Sequence, residues 1–384
     1  MAKTQIVDIM RISASFRALK AIVLTLFCAF FTSAAFASEH NDQSSEHEHG
    51  ENHASVEAGH SESHEEGNEL NTLLLGHVSD NHSWDAFGHA VMIPLPCIVY
   101  VEGQGFDFFS ASKFGPHGHG VYKGMKLSDY GSKIVWADSG NTTKIWDLSI
   151  TKNVLNLLIG SIILCILMIF VARKYAKNRG KAPSGFQNLI ESLVVFLRDD
   201  IFKASIGANY RKFTPLLLTI FFFIFFMNLL GQIPFFPGGA NVTGNIAVAF
   251  ILAFIVFFYV TINGNKHYWK HIFMPDPLYL WPILFPIELF GVFLKPIVLM
   301  LRLFANITAG HIIILGFFSL IFIFGGMQEW IGYAVSPASV GFGIFMSFME
   351  ILVAFLQAFV FTLLSALYIG MAVEDHGHHE LENH

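Results

Sequence analysis

Residues 280–318 read LWPILFPIELFGVFLKPIVLMLRLFANITAGHIIILGFF. About 20 apolar residues suffice to cross a bilayer, so this run is far longer than one upright span. It nonetheless carries Glu288, Lys295, Arg302 and His311. A charge at bilayer depth costs about 2.5–3.5 kcal/mol even on the mildest scale, which makes each of these a functional candidate by default. A second long run, FGIFMSFMEILVAFLQAFVFTLLSALYIGMA at 342–372, holds Glu350 and Gln357.

Spacing organises these groups. Glu288, Lys295 and Arg302 recur every seven residues, and seven steps of about 100° return to nearly the same helix face. Pro296 bends that alignment. Asn306 stands four residues beyond Arg302 on the same side, and His311 nine beyond, roughly opposite. Glu350 and Gln357, also seven apart, share a face of the final helix. One helix thus presents a cation on one side and a titratable imidazole on the other, and the next helix supplies a carboxylate. His and Glu can pass protons along a wetted path. Arg stays protonated, so it serves as a fixed positive barrier and as the partner of a carboxylate. The plainer alternative is that Arg302 and Glu350 pair as structural glue.

Outward from these runs the chain stays apolar. Further runs fall at about 154–172, 215–236 and 245–263, and the two long ones extend over about 278–325 and 338–373. Of 384 residues 53% are hydrophobic and 14% charged, against roughly 25% charged in soluble domains. Phe alone numbers 41. A net charge of −6 leaves no basic excess for nucleic acid. With 3 cysteines, two of them in apolar runs, no disulfide framework is expected. The fold class expected is an all-α integral membrane protein of about five helical segments. The last two are long enough to be tilted or horizontal, and a small extracytoplasmic β-containing segment precedes the bundle.

The amino-terminal part divides by composition. Arg11, Arg17 and Lys20 precede AIVLTLFCAFF, and Ala35-Phe36-Ala37 then offers a small-residue cleavage pattern. Residues 1–37 therefore read as a secretory signal peptide, with an uncleaved first span as the alternative. Residues 38–70 are acidic and rich in histidine (His40, His47, His49, His53, His60 and His64) and too polar to bury a core. Residues 71–152 form a small extracytoplasmic segment, in which HAVMIPLPCIVYV and FDFFSAS read as short strands. Residues 153–373 are the membrane domain and 374–384 a tail. Arg173, Lys174, Lys177, Arg179, Lys181, Arg198, Lys203, Arg211 and Lys212 follow the first span, and Lys266 and Lys270 the third. The positive-inside rule places both stretches and the C-terminus in the cytoplasm and the mature N-terminus outside.

LMLRLFANITAGH resembles the signature of subunit a of rotary F-type ATP synthases, the membrane stator beside the c-ring. PSGFQNLIESLVVFLRDDI is similar to that family's cytoplasmic amphipathic segment, FFMNLLGQIPFF to its second span and exit, and FLQAFVFTLLSALYI to its final helix. The resemblance covers roughly 155–372. It implies a proton-translocating stator subunit of the ATP synthase in a bacterial inner membrane. The partners it implies are the c-ring, the b subunit of the peripheral stalk and the lipid bilayer, with H⁺ or Na⁺ as coupling ion. Arg302 matches the family's essential arginine, Asn306 the asparagine one turn on, and Gln357 the final-helix glutamine near that arginine. Glu288 matches an acid associated with an ion half-channel. His311 and Glu350 occupy the two positions where members carry one acid and one histidine, here in the order His then Glu. Gly231 falls where some members have an acid. The resemblance leads us to expect an outer half-channel lined by Glu288, His311 and Glu350. The chain has no G-x-x-x-x-G-K-[ST] loop for nucleotide phosphates, and neither catalysis, cofactor, metal nor nucleic acid is expected of it. Two other classes fit parts of the sequence: a metal-ion transporter with a His-rich extracytoplasmic tail, and a purely structural anchor.

Overall fold

In a computed structural model of the chain, residues 80–85, 92–115, 120–128, 132–138, 143–177, 185–233, 238–240, 242–274 and 281–373 are described. The expected signal peptide, the His-rich stretch and the 374–384 tail lie outside these residues.

Alternating burial builds the amino-terminal unit. Strand β1 (Ser83–Asp85) pairs antiparallel with β2 (Met92–Pro94). Strands β3 (Pro96–Val101) and β4 (Gly105–Ser110) form a hairpin, so the expected strands are present. Its turn holds Gly103 at φ 86°, a conformation that favours a residue without Cβ. β5 (Met125–Leu127) pairs with β6 (Ile134–Trp136), and β7 (Ile145–Asp147) returns to the other edge of β3. Cys97, Val99 and Val101 point to one face of β3 and pack with Phe114, Met125 and Ile134.

Buried polar contacts tie this unit to the first helix, α1 (Lys152–Lys177). The Asp80 carboxylate accepts from the Asn153 amide at 3.0 Å and from the Thr151 hydroxyl at 2.9 Å, capping the helix start. His82 Nε2 lies 3.0 Å from Asp147 Oδ2. Burial works to raise the Asp147 carboxyl, but the hydrogen bond and charge of His82, with Ser149, bring it below the ordinary value.

Seven further α-helices follow among the described residues. α2 (Phe186–Phe196) runs through a π-helical turn at Leu197–Phe202 into α3 (Lys203–Ile206). This segment buries Ile190, Leu197, Phe202 and Ile206 while exposing Phe186 and Leu189. α4 (Tyr210–Gly231) is the hub, with Leu217, Phe221, Phe223 and Ile224 fully buried. α5 (Ile246–Asn263) is capped by the Asn245 side chain. The short α6 (Lys266–Phe273) leads to α7 (Trp281–Met327) and α8 (Glu329–Val373). Among the described residues, five segments are long and apolar enough to cross a membrane. With 47 residues, α7 measures about 70 Å at 1.5 Å per residue. That is more than twice the roughly 30 Å hydrocarbon layer, so α7 and its antiparallel partner α8 fit a bilayer only obliquely.

Hydrogen bonds fix which ends lie together. Lys212 Nζ donates to Asn263 Oδ1 at 2.7 Å, and Asn265 N donates to the Ala372 carbonyl at 2.8 Å. Gly370 lets α8 approach the Ser205 carbonyl of α3, which a Cβ would overlap. The start of α4, the end of α5, α6 and the end of α8 therefore share one end of the bundle. Arg211, Lys212, Lys266 and Lys270 sit there. At the other end, Asn156 Nδ2 near the start of α1 donates to the Ala240 carbonyl at 2.9 Å.

Candidate functional site

The antiparallel seam of α7 and α8 gathers most of the residues singled out by spacing. Asn306 Nδ2 donates to Gln357 Oε1 at 3.0 Å. Gln357 is 3% exposed, and its Nε2 has no hydrogen-bond partner. One turn before Asn306, Arg302 stands exposed on the outer surface of the bundle. Among the described residues no carboxylate comes within 4.0 Å of its guanidinium, which excludes an Arg302–Glu350 pair within this structure. Leu303 beside it is fully buried, so the helix face is fixed.

About one to two turns along the seam, counted from Asn306 on to Gly310 and from Gln357 back to Glu350, the carboxylate of Glu350 lies against Gly310. A Cβ at 310 would sit 2.8 Å from Glu350 Oε1. That oxygen is buried without a hydrogen-bond partner. His311 follows Gly310 on α7; its side chain lies outside the described part. We expect Gly310→Ala to displace the carboxylate and, in the role that the resemblance implies for Glu350, to slow proton movement about tenfold, less than the roughly hundredfold of losing an acid–base group outright. Vesicle acidification normalised to assembled complex checks this. An unchanged rate would mean that the position of Glu350 does not matter.

From Glu350 a polar trail leads to the end of the bundle that holds the start of α1. Thr308 Oγ1 donates to the Gly244 carbonyl at 3.4 Å. The neighbouring Thr243 hydroxyl donates to Asn228 Oδ1. Asn228 Nδ2, Asn156 Oδ1, Asn153 Oδ1 and Ser161 Oγ are all buried without partners. An unmade buried hydrogen bond costs about 1–3 kcal/mol, and water is the usual remedy. The charge pattern and the resemblance did not point to these residues. Three asparagines inside or at the edge of apolar runs were the available signal.

Glu288 does not join this group. It lies 22 residues before Gly310, about 33 Å along the helix, at the opposite end of the bundle. There His271 Nδ1 of α6 stands 3.5 Å from Glu288 Oε1. The expectation of one half-channel lined by Glu288, His311 and Glu350 is thereby corrected: an unbroken helix keeps positions 288 and 311 far apart. The seven-residue register does hold, because Lys295 lies with its Nζ 5.5 Å from the centre of the Tyr368 ring, and the charge of Arg302 acts on the same tyrosine. Lys295, Tyr368, Tyr268, Pro296 and Leu299 line a cavity of about 20 Å³, room for one water. On α6, burial and then the charge of Glu288 push the Tyr268 phenol above its ordinary value.

Five long apolar helical segments among the described residues, with ionisable and amide side chains along the seam of the last two, define an all-α, multi-pass integral membrane protein. The sequence profile of the family described as "ATP synthase A chain" matches residues 154–370, and a profile described only as a domain of unknown function matches 73–156. The chain belongs to the ATP synthase A chain family, subunit a of the F-type enzyme. It is 47% identical over 242 residues to "ATP synthase subunit a" of Pelodictyon phaeoclathratiforme, covering 62% of this chain and 69% of that one. It is 44% identical to the subunit a of Chloroherpeton thalassium, over 60% and 69% of the two chains. A relative from Anaeromyxobacter is 35% identical over 85% of this chain and 75% of its own.

Proposed function

We propose that this chain is the stator subunit that leads protons to and from a rotating c-ring through two separate half-channels. The observation that carries this reading is Arg302, exposed on the bundle surface with no carboxylate beside it. A cation at bilayer depth needs a counter-charge, and the partner that supplies it belongs to another chain, the ring carboxylate.

The outer half-channel runs along Asn153, Asn156, Asn228, Thr243 and Thr308 to His311 and Glu350. Its support is the row of unpartnered polar atoms, which water would satisfy. Glu350 and His311 pass the proton to a carboxylate on a c subunit. Neutralised, that site can face lipid at low cost. After the ring turns, the site meets Arg302 from the other side. The guanidinium favours the ionised form, and the proton leaves past Tyr368, Lys295 and Glu288. Asn306 and Gln357 hold the seam beside the arginine. Arg302 also bars direct passage between the halves. The electrical drive is about 2.3 kcal/mol per charge per 100 mV.

Orientation follows from the basic end: it faces the cytoplasm, and the end with Asn156 and Ala240 faces outward. Residues 1–37 serve as a signal peptide, 38–70 as a solvated acidic tract, 71–152 as the outer unit and 374–384 as a cytoplasmic tail, in a bacterial inner membrane. The b subunit of the peripheral stalk is the second protein partner, and H⁺ is the coupling ion. The chain itself performs no ATP chemistry. The test is cross-linking in a background without native cysteines. Leu301→Cys and Ala305→Cys, both exposed beside Arg302, should form disulfides with a cysteine next to the ring carboxylate. Failure of both to cross-link in an assembled complex would overturn the reading.

A further inference from the structure

The inner end of the seam contains a group that the half-channel reading leaves unused. His271 lies on the last turn of α6 with its side chain 59% exposed, and Glu288 opposite is 38% exposed. Behind Glu288 come Lys295, on which its charge acts, and the cavity bounded by Tyr268 and Tyr368. α6 packs against α7 and α8. The charged and titratable groups that these elements bring to this end are Glu288, in contact with His271, and beyond it Lys295 of α7 and Tyr368 of α8. On its own helix they are Lys266, His267, Tyr268 and Lys270. Glu288 is the group that His271 touches.

An ordinary carboxyl titrates near 4.3 and an imidazole near 6.5. When ATP hydrolysis drives the enzyme backwards, protons must be collected from a cytoplasm near neutrality. As side-chain types, imidazole takes up protons near neutrality far more readily than a carboxylate does. A histidine at the mouth therefore holds a proton ready where a lone carboxylate does not. In the synthesis direction a carboxyl releases its proton to water unaided.

We propose that His271 is the proton-collecting group of the inner half-channel, taking protons from the cytoplasm and handing them to Glu288. The proposal rests on the assignment of Glu288 to that half-channel. Bulk water or buffer protonates the ring. The Nδ1–H bond then breaks as a Glu288 Oε1–H bond forms, directly or through one water. This leaves neutral imidazole and a neutral carboxyl, and the carboxyl passes its proton inward. The same step runs in reverse during synthesis, but it limits the rate only in uptake, where protons are scarce.

The test uses inverted vesicles carrying the whole ATP synthase, whose cytoplasmic face is outside. Initial rates of ATP-driven acidification are measured against external pH in weak buffer for wild type, His271→Gln and His271→Ala. Both variants should match wild type at about pH 6.5 and fall at least about threefold behind it at about pH 8.5, because proton collection limits pumping only where protons are scarce. Added imidazole buffer should restore the alkaline rate, and ATP synthesis should stay within a factor of about two. Curves that overlay wild type, or a loss equal at every pH and not restored by imidazole, would overturn the proposal. Glu288→Gln separates the two failures. If it pumps normally, the half-channel assignment is wrong. If it stops pumping while the His271 variants match wild type, only the role of His271 is.

Discussion

Replacing Arg302 by alanine should leave the complex assembled and abolish ATP-driven proton pumping. At about 4 Å and an effective dielectric constant near 20, a guanidinium stabilises a facing carboxylate by about 4 kcal/mol. Removing it costs roughly three powers of ten in the fraction of ring sites that ionise on arrival. The barrier between the half-channels is lost as well. Arg302→Lys keeps the charge but is a compact point charge without the planar fork, so it should recover little of the coupled rate. Acidification, hydrolysis and subunit content measured on the same membranes check this. Retained pumping in an assembled Arg302→Ala complex would make the arginine structural.

The second large effect concerns the pair at 311 and 350. Glu350→Gln removes the titratable oxygen that lies buried against Gly310, and proton transport should fall about a hundredfold, as for loss of a general acid–base group. His311→Gln should have an effect of similar size. The double exchange His311→Glu with Glu350→His keeps one acid and one imidazole at the two positions. It should recover a rate well above either single variant, because a relay needs the two groups, not their order. Additive losses in the double exchange would show that each residue has a private role. Proton-driven ATP synthesis at a fixed gradient is the readout.

Much of this was legible in the residues. Five apolar runs gave the spans, and the LRLFAN stretch gave the family. The seven-residue recurrence of Glu288, Lys295 and Arg302 did place one face of α7 toward α8 and Tyr368. The partition of that face between the two ends of the bundle was not legible. Periodicity reports direction around a helix and is silent about depth along it, and the resemblance assigns Glu288 to a half-channel without saying which one. Depth became visible only through contacts between elements distant in sequence, such as His271 with Glu288 and Asn265 with Ala372. The outer polar trail escaped for another reason. Asn156 and Asn228 are neutral, and a neutral amide within an apolar run reads as noise until its neighbours are shown to leave it unpartnered.

The central claim is that the half-channels communicate only through a moving ring, with Arg302 as the barrier between them. Passive proton flux through vesicles stripped of the catalytic sector, with the c-ring locked to this chain by a cross-link, tests that claim most directly. Wild-type membranes should conduct with the ring free and fall silent once it is locked, whereas Arg302→Ala membranes should leak even when locked. Conduction through the locked wild-type complex, or a locked Arg302→Ala complex as tight as wild type, would contradict it.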